Sequence, residues 1–175
     1  MKHSGISKVN LKILVVFLFF FAFICFGCSK SQESSVAVPP DVQQFLDKYF
    51  AVVKSRDIAQ IQDMSAYVPA SQSQDMQPDQ VDMMREEKKK FASQVFDKVF
   101  NEFGDLESYS VASIKTTTIA VGTPGANTMG PGVYVSVVCK AKFSKNKKVQ
   151  VNLQLFKENE GTDYSVLAYT YQAGL

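Results

Sequence analysis

Two periods divide this chain. Between residues 41 and 103 apolar side chains recur every three or four positions, and from residue 109 onward they alternate with polar ones. Val42, Phe45, Leu46, Tyr49, Phe50 and Val53 trace one stripe of an amphipathic helix. Asp41, with Gln44 three residues on, predicts a capping box at its start, and Ser55-Arg56-Asp57 ends it. Asp57 with Gln60 predicts a second cap, for a short helix carrying Ile58, Ile61 and Met64. Residues 67–78, rich in Gln and Ser, read as irregular. A third helix follows over 79–103, where Ala92, Val95, Phe96, Val99, Phe100 and Phe103 form a wide apolar face and Gly104 supplies the stop.

After Gly104 the period falls to two. Residues 109–121 (YSVASIKTTTIAV) are rich in β-branched side chains and predict a first strand, followed by a Gly/Pro loop over 122–132. The clearest strand is 133–143, with Val133, Val135, Val137, Cys139, Ala141 and Phe143 on one face and Tyr134, Ser136, Val138, Lys140 and Lys142 on the other. Val149, Val151, Leu153 and Leu155 alternate in a third strand, and residues 164–171 make a fourth. Helices first and short-linked strands after predict an α+β fold, three N-terminal helices packed on an antiparallel four-stranded sheet.

Upstream of these elements the pattern is different again. Lys2, Lys8 and Lys12 precede 14 uncharged, apolar residues (13–26), and polarity begins at Ser29-Lys30. A basic start, an apolar block shorter than the roughly 20 residues of a spanning helix, and a small residue before a cut are the parts of a cleavable export signal. Gly27-Cys28 at its end resembles the lipobox of bacterial lipoproteins, with Cys25 and Phe26 departing from the residues usual there. That resemblance implies cleavage between Gly27 and Cys28, acyl chains on Cys28, and a membrane partner reached through that lipid. Ser29, where an Asp tends to retain such proteins at the inner membrane, implies the outer membrane of a bacterial cell envelope, with the domain in the periplasm or at the cell surface. The implied organisation is a signal peptide over 1–27, a lipidated cysteine and Ser/Pro-rich tether over 28–40, and one domain over 41–175.

Removing the leader changes the chemistry that remains. The whole chain carries 19 Lys and Arg against 17 Asp and Glu, but residues 28–175 carry 16 against 17, so nothing in the net charge draws the domain to nucleic acid. The single histidine, His3, lies in the leader, which excludes a Ser-His-Asp or Cys-His site and imidazole metal ligands from the domain. With Cys25 removed and Cys28 acylated, Cys139 has no disulfide partner, and its place among valines predicts a buried, inert thiol. No cofactor or metal motif is present: the loop over 122–132 lacks the Gly-Lys-Ser/Thr ending of a phosphate-binding loop. The run Arg85-Glu86-Glu87-Lys88-Lys89-Lys90 reads as a solvated helix face with Glu86 and Lys90 paired, and Lys142, Lys145, Lys147 and Lys148 read as charges keeping a hairpin tip soluble.

Phe103-Gly104 closing the last helix, Pro131-Gly132-Val133-Tyr134 opening the long strand, Phe143 ending it, and Leu155-Phe156-Lys157-Glu158 with Gly161, Tyr164, Val166 and Tyr169 form a local pattern. It resembles uncharacterised lipoprotein and periplasmic domains of the nuclear transport factor 2-like (cystatin-like) superfamily. The resemblance implies a sheet curved into a cone, with a pocket at its open end; Tyr109 and Tyr134 are the candidate pocket-lining residues. Some members of the superfamily are isomerases or dehydratases that use Asp, Tyr or His in that pocket, and many others bind or dimerise. With histidine absent, the expected function is a non-enzymatic module binding a small apolar ligand or a partner protein. The alternatives are an isomerase- or dehydratase-type enzyme using Asp and Tyr, or an accessory subunit of an envelope assembly. A closed, filled interior argues for the partner reading, and an open pocket with an inward Asp near a Tyr argues for the enzyme.

Overall fold

The computed structural model describes residues 36–123, 129–146, 148–158, 161 and 163–174, with the side chain of residue 71 set aside. Gly27, Cys28 and Lys147 lie outside these residues. From Val36 onward the chain packs as one compact unit, and among the described residues no helix is long and apolar enough to cross a membrane.

Three helices, α1 (Pro40–Ser55), α2 (Ile58–Ser65) and α3 (Pro78–Phe103), precede a meander of four antiparallel strands: β1 (Leu106–Ile119), β2 (Gly132–Phe143), β3 (Val149–Lys157) and β4 (Ser165–Ala173). The stretch between α2 and α3, read as irregular, contains one helical turn, Ala70–Ser73. β1 begins three residues earlier than its alternation suggested, because Leu106 is drawn into the core and pairs opposite Phe143.

The caps show where local sequence decides and where it does not. Asp57 caps α2 as its spacing predicts, its carboxylate accepting from the Gln60 N–H at 3.1 Å. At α1 the expectation fails: Pro40 occupies the first helical position, Pro39 is the N-cap, and the Gln43 N–H bonds back to the Pro39 carbonyl. Asp41 turns instead toward β3, and a reciprocal box forms at α3 between Gln77 and Gln80. Arg56 ends α1 in the left-handed region (φ 55°), held by an ion pair to Asp105 and by packing of its guanidinium over the Phe100 ring. Gly104 ends α3 with φ 83°, and Ser144 and Lys145 stand where a side chain would be.

The register sorts the sheet into two faces. Val135, Val137, Cys139, Ala141 and Phe143 share one face of β2 and meet Leu155, Leu153, Val151 and Val149 of β3, all buried against the helices. The opposite face carries a hydrogen-bonded row of uncharged polar groups, Ser136–Gln154, Asn152–Thr170 and Gln150–Asn152. Register shifts between Leu106 and Ser108, between Val111 and Ser113, and between Gln154 and Leu155 bend and twist the outer strands. This is the three-helix, four-strand α+β arrangement that the two periods predict.

Candidate functional site

Alternation places Tyr169 and Tyr171 on the same face of β4, pointing at the helices. Tyr49 reaches them from the buried stripe of α1, Ser65 from the last position of α2, and Phe96 from the middle of α3. The Tyr49 and Tyr171 hydroxyls hydrogen-bond at 3.0 Å, and the Phe96 ring lies 5.4 Å from Tyr169 and 5.5 Å from Tyr171. The Ser65 and Tyr169 hydroxyls are close enough for Ser65 to favour the Tyr169 phenolate slightly, yet they miss hydrogen-bond geometry, and both are buried. Burial pushes Tyr169 up to about 12 and raises Tyr49 and Tyr171 well above the ordinary phenol value. Cys139, on the same face of β2, is fully buried and pushed up to about 12 by desolvation, as an inert thiol should be. Tyr49, Phe96, Leu46, Leu153, Leu155, Val135 and Val137 are all under 2% exposed, so the centre of the helix–sheet layer is filled by side chains.

A second set of tyrosines stands at the rim, each donating its hydroxyl to a carboxylate. Tyr109 of β1 donates to Asp47 Oδ1 at 2.5 Å and accepts from Gln43 Nε2 at 3.1 Å, while its ring stacks on Phe50 at 3.9 Å. Tyr164 donates to Asp41 Oδ2 at 3.2 Å; Lys157 Nζ donates to the same oxygen at 2.8 Å and lies 4.6 Å from the Tyr164 ring centre. Tyr67 donates to Glu158, and its ring packs on Phe156. The Lys157 hydrogen bond holds the Asp41 carboxyl below its ordinary range, and Asp41 raises Lys157 in return. Desolvation, then the carboxylate partner, raises Tyr109 and Tyr67 above the ordinary phenol value. At Tyr164 and Asp41, a phenol held neutral beside a carboxylate held ionised is a clip between elements, and a poor starting point for proton transfer.

Tyr109 and Tyr134, the two candidate pocket residues, do not come together. Tyr109 stands opposite Ala141 and Tyr134 opposite Thr117, and residues 134 and 141 of β2 point to opposite faces. Tyr134 is buried on the polar face against Phe156, its hydroxyl donating to the Met129 and Gly130 carbonyls. It ties down the base of the loop before β2, where Gly132 leaves room for the Phe156 ring and the Lys157 carbonyl. Lys88 is a residue the sequence reading missed. It belongs to the run assigned to a solvated face, yet its Nζ donates to the Tyr67 carbonyl at 2.6 Å and burial lowers its pKa. The remainder of that run is solvated, with Arg85 on Asp82 and Lys89 shared between Glu86 and Asp63.

One part of the sheet stays open. Lys115, Thr116, Thr117 and Thr118 of β1 are exposed on both faces, and β2 is the only strand beside β1 among the described residues. Among the described residues no group of His, Cys, Asp and Glu is placed to hold a metal ion. Comparison with protein-family models, with curated proteins and with solved structures finds no match.

Proposed function

We propose that this chain is a lipid-anchored protein of a bacterial cell envelope, held by acyl chains on Cys28, and that its folded part is a non-enzymatic interaction module of the nuclear transport factor 2-like kind. The observation that carries the reading is the filled interior. The hydroxyls at its centre belong to Ser65 and to neutral tyrosines, two of them bonded to each other, and the carboxylates that meet tyrosines stand at the rim. A partner protein fits this interior better than a small apolar ligand does. An isomerase-type site would draw on an Asp–Tyr pair such as Asp41–Tyr164, whose carboxylate is already engaged by Lys157. The anchor half rests on the lysine-led apolar block and the Gly27-Cys28 junction, and the outer membrane is favoured by Ser29.

The test is metabolic labelling with a fatty acid in cells expressing the full chain. The native protein takes up label and runs at the size of a product cut before Cys28; Cys28→Ser takes up none and stays uncut. Labelled, cut Cys28→Ser protein would overturn the anchor. Crosslinking in intact membranes then separates a protein partner from a small ligand.

A further inference from the structure

The two edges of the sheet are not equivalent. β4 has 9 residues, lies against α2, and is interrupted where the ladder shifts between Gln154 and Leu155. β1 has 14 residues, and α1 reaches its first half through Tyr109. Beyond the shift between Val111 and Ser113, residues 113–119 (SIKTTTI) pair with β2 without interruption and have no strand on their other side among the described residues. This stretch holds no proline and one charge, Lys115, and five of its seven residues are β-branched. The devices that keep strand edges from pairing are therefore nearly absent from a segment about 23 Å long.

We infer that residues 113–119 pair antiparallel with the same residues of a second copy, joining two four-stranded sheets across a two-fold axis. This goes with the interaction-module reading and names its partner. A two-fold perpendicular to a sheet keeps every side chain on its own face, so the pairing centres on one residue opposite its own copy. Centred on Thr116, it uses all seven residues. It sets Lys115 against Thr117, Ile114 against Thr118 and Ser113 against Ile119. The one charge never meets itself, and every pair contains at least one β-branched residue. With the β4 edge shorter, interrupted and backed by α2, a second copy has one place to add, and the assembly closes at two.

The experiment is crosslinking of the full chain in membranes with a short bismaleimide, Cys28 being acylated and Cys139 buried. Thr117→Cys should give a homodimer band, and Gln172→Cys, on the exposed end of β4, should give none. Adding Thr116→Lys to Thr117→Cys sets two lysines opposite each other and should abolish the band. Thr116 is exposed, so the melting temperature should stay unchanged. A Thr117→Cys chain that stays monomeric, a band to a different polypeptide, or an equal band from Gln172→Cys would overturn the inference. Fatty-acid labelling of the same cells reports the anchor independently.

Discussion

Tyr49, Tyr169 and Tyr171 in the interior, and Tyr67, Tyr109 and Tyr164 at the rim, put the same side chain to different uses. In the interior a phenol meets another phenol, and the Cys139 thiol that also bears on Tyr49 is itself desolvated. At the rim each phenol meets a carboxylate that keeps contact with water. The difference comes from which element delivers the partner. β4 and α1 bring apolar stripes face to face, so hydroxyls there have only one another. The first turns of α1 and the end of β3 are polar, so tyrosines at that level find Asp41, Asp47 and Glu158. Tyr164 spans the two settings, its ring buried in the core and its hydroxyl on Asp41.

The largest expected effect comes from alkaline pH, which acts on the interior phenols and also on Tyr67, Tyr109 and Tyr164 at the rim. Tyr49, Tyr169, Tyr171 and Cys139 have folded-state pKa values raised above their ordinary ones, 10.0 for the phenols and 9.0 for the thiol. Above those ordinary values the unfolded chain releases protons that the folded chain keeps, so stability falls as pH rises. The slope is about 1.4 kcal/mol per pH unit for each group that stays protonated. Denaturant midpoints measured between pH 8 and 11.5 should be flat at first and then drop steeply, while tyrosinate absorbance appears only with unfolding. Tyrosinate absorbance from folded protein near pH 10.5 would overturn the reading that burial, with a carboxylate partner at the rim, keeps these phenols neutral.

A smaller effect is expected from Tyr49→Phe, which keeps the ring and leaves the Tyr171 hydroxyl buried without its partner. Loss of about 1–3 kcal/mol by urea unfolding is the expected cost of such an orphaned group. The smallest should come from Tyr109→Phe. Asp47 at the rim recovers water and keeps Gln43, so the change should remain under about 1 kcal/mol. If Tyr109→Phe proved the costlier of the two, the rim would be the structural centre and the interior the dispensable part.

Much of this architecture is legible in the sequence because it rests on local period. β2 and β3 alternate along most of their length and pair without a register shift, the core face of α3 repeats at helical spacing, and Asp57–Gln60 is a cap whose partners are three residues apart. What escapes is decided by long-range partners. Asp41 reads as a cap and is drawn to Lys157, 116 positions away, because Pro40 already starts the helix. Lys88 looks like its neighbours Lys89 and Lys90, and only the course of the segment through Tyr67 brings a carbonyl over it. The face of Tyr134 follows from the alternation of β2, but that of Tyr109 depends on the β1–β2 register, with its shifts at Leu106/Ser108 and Val111/Ser113, which β1 alone does not reveal. The interior tyrosine pair had one visible signal, Tyr169 and Tyr171 two apart on a strand, and its partner Tyr49 stood on the buried stripe of α1.

The Asp41–Lys157 contact also has a mechanical reading. A pull on the chain upstream of Val36 arrives at the first turn of α1, where Pro39 and Pro40 resist local unwinding. From there Asp41 passes the tension to Lys157 on β3, an interior strand hydrogen-bonded on both sides. Because the carboxylate also takes the Tyr164 hydroxyl, the load spreads at once into the segment leading to β4. α1 is thus braced against being peeled from its leading end.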